Sequence, residues 1–412
     1  MEASDIYNND LVNRNRLDFI EFPQIKWFNA YRDEQLVSRR SDLLELTKES
    51  LLFKDTKPFY KQISKGCKLC GAGFWSCLFI TGKCNANCFY CPTSQTHDGL
   101  PTSQGLSFQS ASAYAEYVNH FKFKGVGFSG GEPFLVYDRL VEFLKKLRKK
   151  CAPGLYVWLY TNGILVDKVK LKKVASLGLN EIRFDIGATD FSLDKVRMAK
   201  GIIDNVTIEI PAIPEELERM KLLLPEMIKA GVCNLNLHQL RLTKYNVPKL
   251  LKRDYTYVAD ERPLVLESEI MALELLKYAN DSHLEIGINY CSFNFKHRFQ
   301  KAGFRSQIAN ALADDSEIIN TNGFVRNLNG DQLNYERITV TDFDSLSDLT
   351  LDLEYKKYSI KRDLIMENTK LTPNQLLEVK TLIREGEKQI PKDEFLYRIW
   401  RMEHIENKLR KF

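Results

Sequence analysis

Short β-rich apolar runs alternate with amphipathic stretches through the middle of this chain, the pattern of a parallel sheet assembled from βα units. Six strands are predicted, at 77–82, 125–129, 155–160, 181–186, 205–210 and 233–238, with a candidate seventh at 284–288. Apolar positions at helical spacing predict helices over 109–122, 137–150, 167–177 and 215–230. The last should kink at Pro225, which has no N–H for the helical ladder.

The later strands alternate in an informative way, because successive side chains of a strand point to opposite faces. Ile182, Phe184 and Ile186 share one face, with Arg183 and Asp185 on the other. Val206, Ile208 and Ile210 oppose Thr207 and Glu209, and Leu235 and Leu237 oppose Asn234, Asn236 and His238. Strands of an open parallel sheet covered on both sides are apolar on both faces. A polar face on three successive strands points instead to a lumen, as in an incomplete barrel whose apolar outside is covered by helices. Solvated faces of an antiparallel sheet, the alternative, fit poorly with the helical spacers.

The flanks have a different texture. Residues 1–66 carry charge and aromatics (Trp27, Phe28, Tyr31) and read as a helical N-terminal extension, with helices around 30–53. Residues 317–358 read as short strands around an Asn-Leu-Asn-Gly330-Asp turn; Thr372-Pro-Asn-Gln opens a helix reaching about Gly386, and a last helix covers 392–410. The expected organisation is an N-terminal extension (1–66), a barrel unit (67–309) and a C-terminal α+β extension (310–412).

At 412 residues and 44% hydrophobic, the chain can bury a sizeable core. No apolar run reaches 18 residues, and the first ten are acidic and polar where a signal peptide would be basic and then apolar, so no membrane association and a cytoplasmic location are expected. A formal net charge of +5 leaves nucleic-acid binding open without favouring it. The densest basic run, Lys145 to Lys150, closes a predicted helix, where cations suit the dipole. Nine cysteines, an odd number crowded mostly between 67 and 91, suit metal ligation in a reducing compartment better than a disulfide framework.

Cys84-Asn-Ala-Asn-Cys88-Phe-Tyr-Cys91 directly follows the first predicted strand. Three thiolates at this spacing can hold three corners of a cubane iron–sulfur cluster and leave one iron open, whose usual occupant is S-adenosylmethionine. Structural zinc takes four ligands, so a zinc site would need Cys67-Lys-Leu-Cys70 as its second pair; a non-catalytic zinc module that binds nucleic acid is the rival class. Gly130-Gly131-Glu132-Pro133 follows the second strand, where glycines permit close backbone approach to a ligand and a carboxylate can accept from an ammonium group.

Together these two motifs resemble the radical S-adenosylmethionine superfamily over roughly residues 77–240. Gly66-Cys-Lys-Leu-Cys70, Leu-Phe-Ile-Thr-Gly82, Ile-Pro-Ala-Ile-Pro214 and Asn289-Tyr-Cys291-Ser add a similarity to a poorly characterised group related to pyruvate formate-lyase activating enzyme. The resemblance implies an α/β fold with a TIM-like partial (βα)6 barrel. It implies a [4Fe-4S] cluster on Cys84, Cys88 and Cys91, with Tyr90 the aromatic before the last cysteine, and Gly130, Gly131, Glu132 and Pro133 at the amino group of S-adenosylmethionine. The implied chemistry is reductive cleavage of that cofactor, fed by a flavodoxin- or ferredoxin-like electron donor, to a 5′-deoxyadenosyl radical that takes hydrogen from a substrate.

By the same resemblance Asn162 closes the third strand as in activase-like members, and Asp185 and Glu209 lie toward the cofactor's ribose or methionine. The fifth strand lacks the glycine-flanked motif of many members, and a lumen salt bridge to Arg183 is the alternative for these two acids. His238 is a candidate contact for cofactor or substrate, or else a hydrogen-bonded core histidine. Cys67, Cys70 and Cys291 are candidates for a second iron–sulfur cluster or a zinc site, completed by Cys77, Cys233 or His297, against the alternative of no metal. Simple activases are shorter and lack the C-terminal extension. Two extensions able to act as lids make a peptide or protein the expected substrate, with tRNA or a small molecule as alternatives.

Overall fold

Strands placed side by side in chain order organise this molecule, a computed structural model that describes residues 2–47, 51–329, 332–339, 361–386 and 389–405. Helices α1 (Ala3–Asp18) and α2 (Glu34–Leu46) lead into strand β1 (Lys57–Tyr60) and the short helix α3 (Lys65–Gly71). The parallel strands are β2 (Trp75–Lys83), β3 (Gly125–Gly130), β4 (Tyr156–Thr161), β5 (Glu181–Phe184), β6 (Asn205–Pro211), β7 (Asn234–His238) and β8 (Gly287–Cys291), each paired with the next. β1 pairs antiparallel with β8 at one edge, and short antiparallel strands at 102–107 close the other.

This order follows from chirality. Parallel crossovers are right-handed, so strands in sequential order send every connecting helix to the same face. Helices α4 (Ala111–His120), α5 (Tyr137–Lys150), α6 (Lys168–Ser176), α7 (Leu217–Lys229) and α8 (Leu266–Asp281) make five of the six connections, and a short helix at Asp194–Ala199 lies in the other, between β5 and β6. The two sheet edges do not pair with each other, which leaves a partial barrel. The expected βα units are all present, and the candidate seventh strand forms three residues later than its apolar run indicates. α7 continues through Pro225.

The predicted alternation becomes inside and outside. Ile182, Phe184, Val206, Ile208, Ile210, Leu235 and Leu237 are buried beneath the helices, each such side chain contributing roughly 1.5–3 kcal/mol. Arg183, Thr207, Glu209 and Asn236 line the opposite, concave face. That face is filled by α3, whose N-cap Ser64 accepts from Cys67 N (3.1 Å) and from Arg183 Nη2 (3.0 Å). The lumen is thus plugged by chain from before the first barrel strand.

The N-terminal 66 residues therefore include β1, a strand of the sheet, beside two helices. α1 escapes the sequence pattern because only Ala3, Leu11 and Asn15 of its 16 residues are buried, too few for a stripe. Arg148, in the basic run that ends α5, donates to Leu155 O (2.6 Å) and Asn180 Oδ1 (2.8 Å) and so ties the helix to the next strand. In the C-terminal region an antiparallel sheet (318–319, 324–329, 332–339, 361–370) precedes helices Pro373–Glu385 and Glu394–Glu403. Thr372 caps the first of these through a reciprocal box with Gln375. The predicted turn at Gly330, the strands placed in 340–358 and the helix end beyond 405 lie outside the described residues. Among the described residues, no helix is long and apolar enough to cross a membrane.

Candidate functional site

The three cysteines of the C-x3-C-x2-C motif sit on the loop leaving β2, at the C-terminal end of the sheet, all partly exposed. Cys84 Sγ accepts from Ala86 N (3.4 Å) and stands 3.7 Å from Asn162 Nδ2, which also donates to Asn85 Oδ1 (2.7 Å). Tyr90 donates to Asp185 Oδ1 at 2.7 Å, binding the loop to the end of β5. Burial, with Asp185 adding to it, pushes the Cys88 thiol up to about 11.

Gly130-Gly131-Glu132-Pro133 packs directly against the start of this loop. Gly130 has φ +127°, and a Cβ on it would fall 2.1 Å from Thr81 O; one on Gly131 would fall 2.0 Å from Lys83 O. Here the glycines serve the close approach of β3 to β2. Glu132 is fully buried. Its Oε1 accepts from Phe134 N (2.9 Å) and Thr161 Oγ1 (2.9 Å), and its Oε2 from Asn162 N (2.7 Å). The carboxylate fastens the ends of β3 and β4 and sets the Asn162 side chain against the cysteine loop.

Asp185 and Glu209 differ in kind. Asp185 is partly exposed at the mouth, and burial pushes its carboxyl up to about 6 against hydrogen bonds from Tyr90 and Gly187. Glu209 is buried in a polar chain. Its Oε2 accepts from Arg183 Nη1 (2.6 Å) and Asn236 Nδ2 (2.9 Å), and its Oε1 lies 2.5 Å from His238 Nε2. Burial would raise this carboxyl, but Arg183 and His238 hold it well below the usual range. The lumen salt bridge is therefore present at Glu209 and absent at Asp185. His238 is also bonded through Nδ1 to Lys296 Nζ (3.1 Å), and Glu209 and Cys291 raise its pKa against burial and Lys296.

Cys67, Cys70 and Cys291 gather where α3 meets the end of β8, close enough for their charges to couple. Cations and donors share that space. The buried Lys57 Nζ lies 3.2 Å from Cys291 Sγ, and Gln300 Nε2 lies 2.7 Å from Cys70 Sγ. Burial would raise Cys291, yet Lys57, a hydrogen bond with His238, and Lys296 bring it down to about 6. The fourth ligands named from the sequence are elsewhere engaged: Cys77 bonds to Ser129, and His297 faces Asp260 and Glu261 at 3.4 Å each. Cys233 lies at the opposite end of β7 from His238 and Cys291. Among the described residues, no three His, Cys, Asp or Glu side chains form a ready metal cage, the three loop cysteines included.

The segment after β7 braces the cysteine loop. Thr243 Oγ1 donates to Pro92 O (3.0 Å), Asn246 Nδ2 to Tyr90 O (3.3 Å) and Lys249 Nζ to Asn87 Oδ1 (2.6 Å). These contacts span more than 150 residues of sequence and had no motif to announce them, nor did Lys57.

A family model described as the radical SAM superfamily matches residues 78–210, the stretch holding both motifs. A protein of Methanocaldococcus jannaschii, provisionally named a glycyl-radical enzyme activating enzyme, is 31% identical over 279 residues, 65% of this chain and 73% of that one. The chain belongs to the radical SAM superfamily. The Fe-coproporphyrin III synthase of Methanosarcina barkeri is 30% identical over 125 residues, 30% of each chain. The crystal structure of Streptococcus suis SuiB bound to S-adenosylmethionine shares 13% identity over 52% of this chain and 49% of that one, with a TM-score of 0.40.

As a radical SAM enzyme the protein works with a [4Fe-4S] cluster and S-adenosylmethionine. Its residues fit the cluster by donor chemistry: three thiols on one loop, with N–H groups of Ala86 and Asn162 directed at the first sulfur. The non-catalytic zinc module is thereby set aside.

Proposed function

We propose that this radical SAM enzyme takes hydrogen from a peptide or protein, with Cys84, Cys88 and Cys91 holding the cluster at the barrel mouth. The observation that carries the substrate class is the likeness to the Methanocaldococcus protein named for activating glycyl-radical enzymes, which spans most of both chains. When bound, the cluster and S-adenosylmethionine supply a one-electron cleavage that generates the radical. The protein's residues do the rest. Glu132 and Asn162 fix the cysteine loop against β3 and β4, Tyr90 and Thr243 fix it against the far side of the mouth, and the polar run Arg183, Glu209 and His238 leads from the lumen plug toward the cofactor. Asp185, whose Oδ2 has no hydrogen-bond partner among the described residues, is the acceptor offered to the cofactor's ribose or methionine. The end of α1, which shares a cavity with Pro92, serves as a lid that keeps water from the mouth. The C-terminal sheet instead packs on residues 301–312, which meet Phe121 and Phe123 at the N-terminal ends of the strands. A flavodoxin- or ferredoxin-like protein supplies the electron.

Anaerobic reconstitution, reduction and addition of S-adenosylmethionine test the chemistry, read as 5′-deoxyadenosine. Formation no greater than in Cys84→Ala refutes the cluster assignment. Deuterium transfer from a labelled peptide or protein substrate into 5′-deoxyadenosine tests the substrate class, and transfer only from a small molecule overturns it.

A further inference from the structure

Beside the cysteine loop lies an open cavity of about 840 Å³ that reaches Pro92. Its walls come from the segment after β7, the turn at 261–263, the segment after β8 and the end of α1. Arg241, Lys244, Arg262, Lys296, His297 and Lys301 line it, facing the acids Asp18 and Glu261.

Two of these side chains already have partners. Lys301 Nζ is 2.6 Å from Glu261 Oε2, and His297 stands between Asp260 and Glu261 at 3.4 Å each. Arg241, Lys244, Arg262 and Lys296 have no ion pair among the described residues. Arg241 and Lys296 instead lie against the same ring, 5.2 Å and 4.5 Å from the centroid of Phe293, and Lys296 Nζ lies 3.1 Å from His238 Nδ1. An arginine brings five N–H donors and no acceptor, so a half-buried guanidinium with only an aromatic partner has its donors open to a ligand. Burial and the neighbouring Arg262 both lower Arg241, and burial, with Arg241 adding to it, lowers Lys296 against the pull of Cys291 and Glu209.

We propose that this cavity binds side-chain carboxylates of an acidic peptide segment, with Arg241 and Lys296 as its anchoring cations. The proposal rests on the peptide or protein reading above and names the substrate's chemistry. The cations are confined to one cavity walled by Phe19, Tyr245, Pro263 and Phe293, with Asp18 and Glu261 also in its lining. Carboxylates carried on an apolar chain match both the cations and the aromatic walls, whereas a polyphosphate backbone would leave those walls without an apolar partner. Arg241 also feels Cys91, so a filled cluster loop offsets part of its charge. Arg262 and Lys296 do not have that neighbour.

The test is binding to the reconstituted enzyme of a fluorescent acetylated peptide bearing glutamates, its glutamine counterpart, pyrophosphate and a short RNA. The glutamate peptide should bind, weaken as salt rises, and lose about tenfold or more in affinity in Arg241→Gln and in Lys296→Gln. Arg262→Gln, at an exposed position, should weaken it several-fold and gives the same reading if the other variants fail to fold by circular dichroism. Equal binding of the glutamate and glutamine peptides, or unchanged affinity in the variants, overturns the proposal. Pyrophosphate or RNA binding at this site while the glutamate peptide does not bind also overturns it. Formation of 5′-deoxyadenosine without peptide is measured in parallel, so a failure of the radical chemistry is separated from a failure of the pocket.

Discussion

Glu132 holds a carboxylate without solvent contact by giving it donors from two strands. Glu132→Gln keeps one oxygen for Phe134 N and Thr161 Oγ1 but turns an NH2 group toward Asn162 N, so donor faces donor. A loss of about 1–3 kcal/mol is expected, measured by urea unfolding, together with a drop in 5′-deoxyadenosine formation as Asn162 releases the cysteine loop. Unchanged stability would show that the carboxylate is not the fastener. Asp185 behaves oppositely. Its pKa rises from 3.8 to about 6 on folding, so its contribution to stability is complete below pH ~4 and is lost as pH rises through 6. Asp185→Asn keeps an amide oxygen for Tyr90 and Gly187 and removes the charge. In metal-free protein it should raise stability by roughly 2–3 kcal/mol at pH 7.5 and change little at pH 4; the same increment at both values would refute the linkage. At this scale the sequence makes Cys84, Cys88, Cys91 and Glu132 visible because they are contiguous motifs. Lys57, Asn246 and Lys249 act across the fold on thiol, backbone and side-chain amide atoms, and such partners leave no local pattern.

At the scale of elements, the strands were readable because each has one apolar face under helices and one polar face in the lumen. β8 forms later than its apolar run suggests, since α8 reaches Asp281 and His283 turns with φ +51° before the chain straightens. α3 could not be read this way. Its C-x2-C spacing resembles a metal motif, while its position is set by Ser64 and by Gly66, which lets the helix lie on the buried Arg183–Glu181 pair. A Cβ at Gly66 would sit 2.3 Å from Arg183 Nη2 and 3.0 Å from Glu181 Oε2. Arg183 is held by Glu181, Glu209 and Ser64 and has little room to yield. Gly66→Ala should therefore cost about 1–3 kcal/mol or more and lower the thermal midpoint by several degrees. Gly154→Ala, where nothing lies within 4 Å, should be near neutral. Equal effects of the two would mean that α3 does not seat on the lumen pair.

For the whole molecule the sharpest question is how many metal centres it holds, because nine cysteines permit one cluster or two. The expected outcome is one. Around Cys67, Cys70 and Cys291 the fold places an ammonium 3.2 Å from one sulfur and an amide donor 2.7 Å from another, with His238 and Lys296 close by. As placed, Lys57 and Gln300 occupy positions on these two sulfurs that a metal would need. The loop of Cys84, Cys88 and Cys91 is partly exposed, and its nearby donors, the Ala86 and Asn162 N–H groups, are neutral. Reconstituted protein should thus carry about four iron and four sulfide per chain and no zinc. Replacing Cys84, Cys88 and Cys91 with serine should remove all of the iron, while the same change at Cys67, Cys70 and Cys291 should leave about four. About eight iron in the wild type, or loss of iron or zinc from the second variant, would place a metal at the end of the lumen plug and make Lys57 a partner of its thiolate ligand.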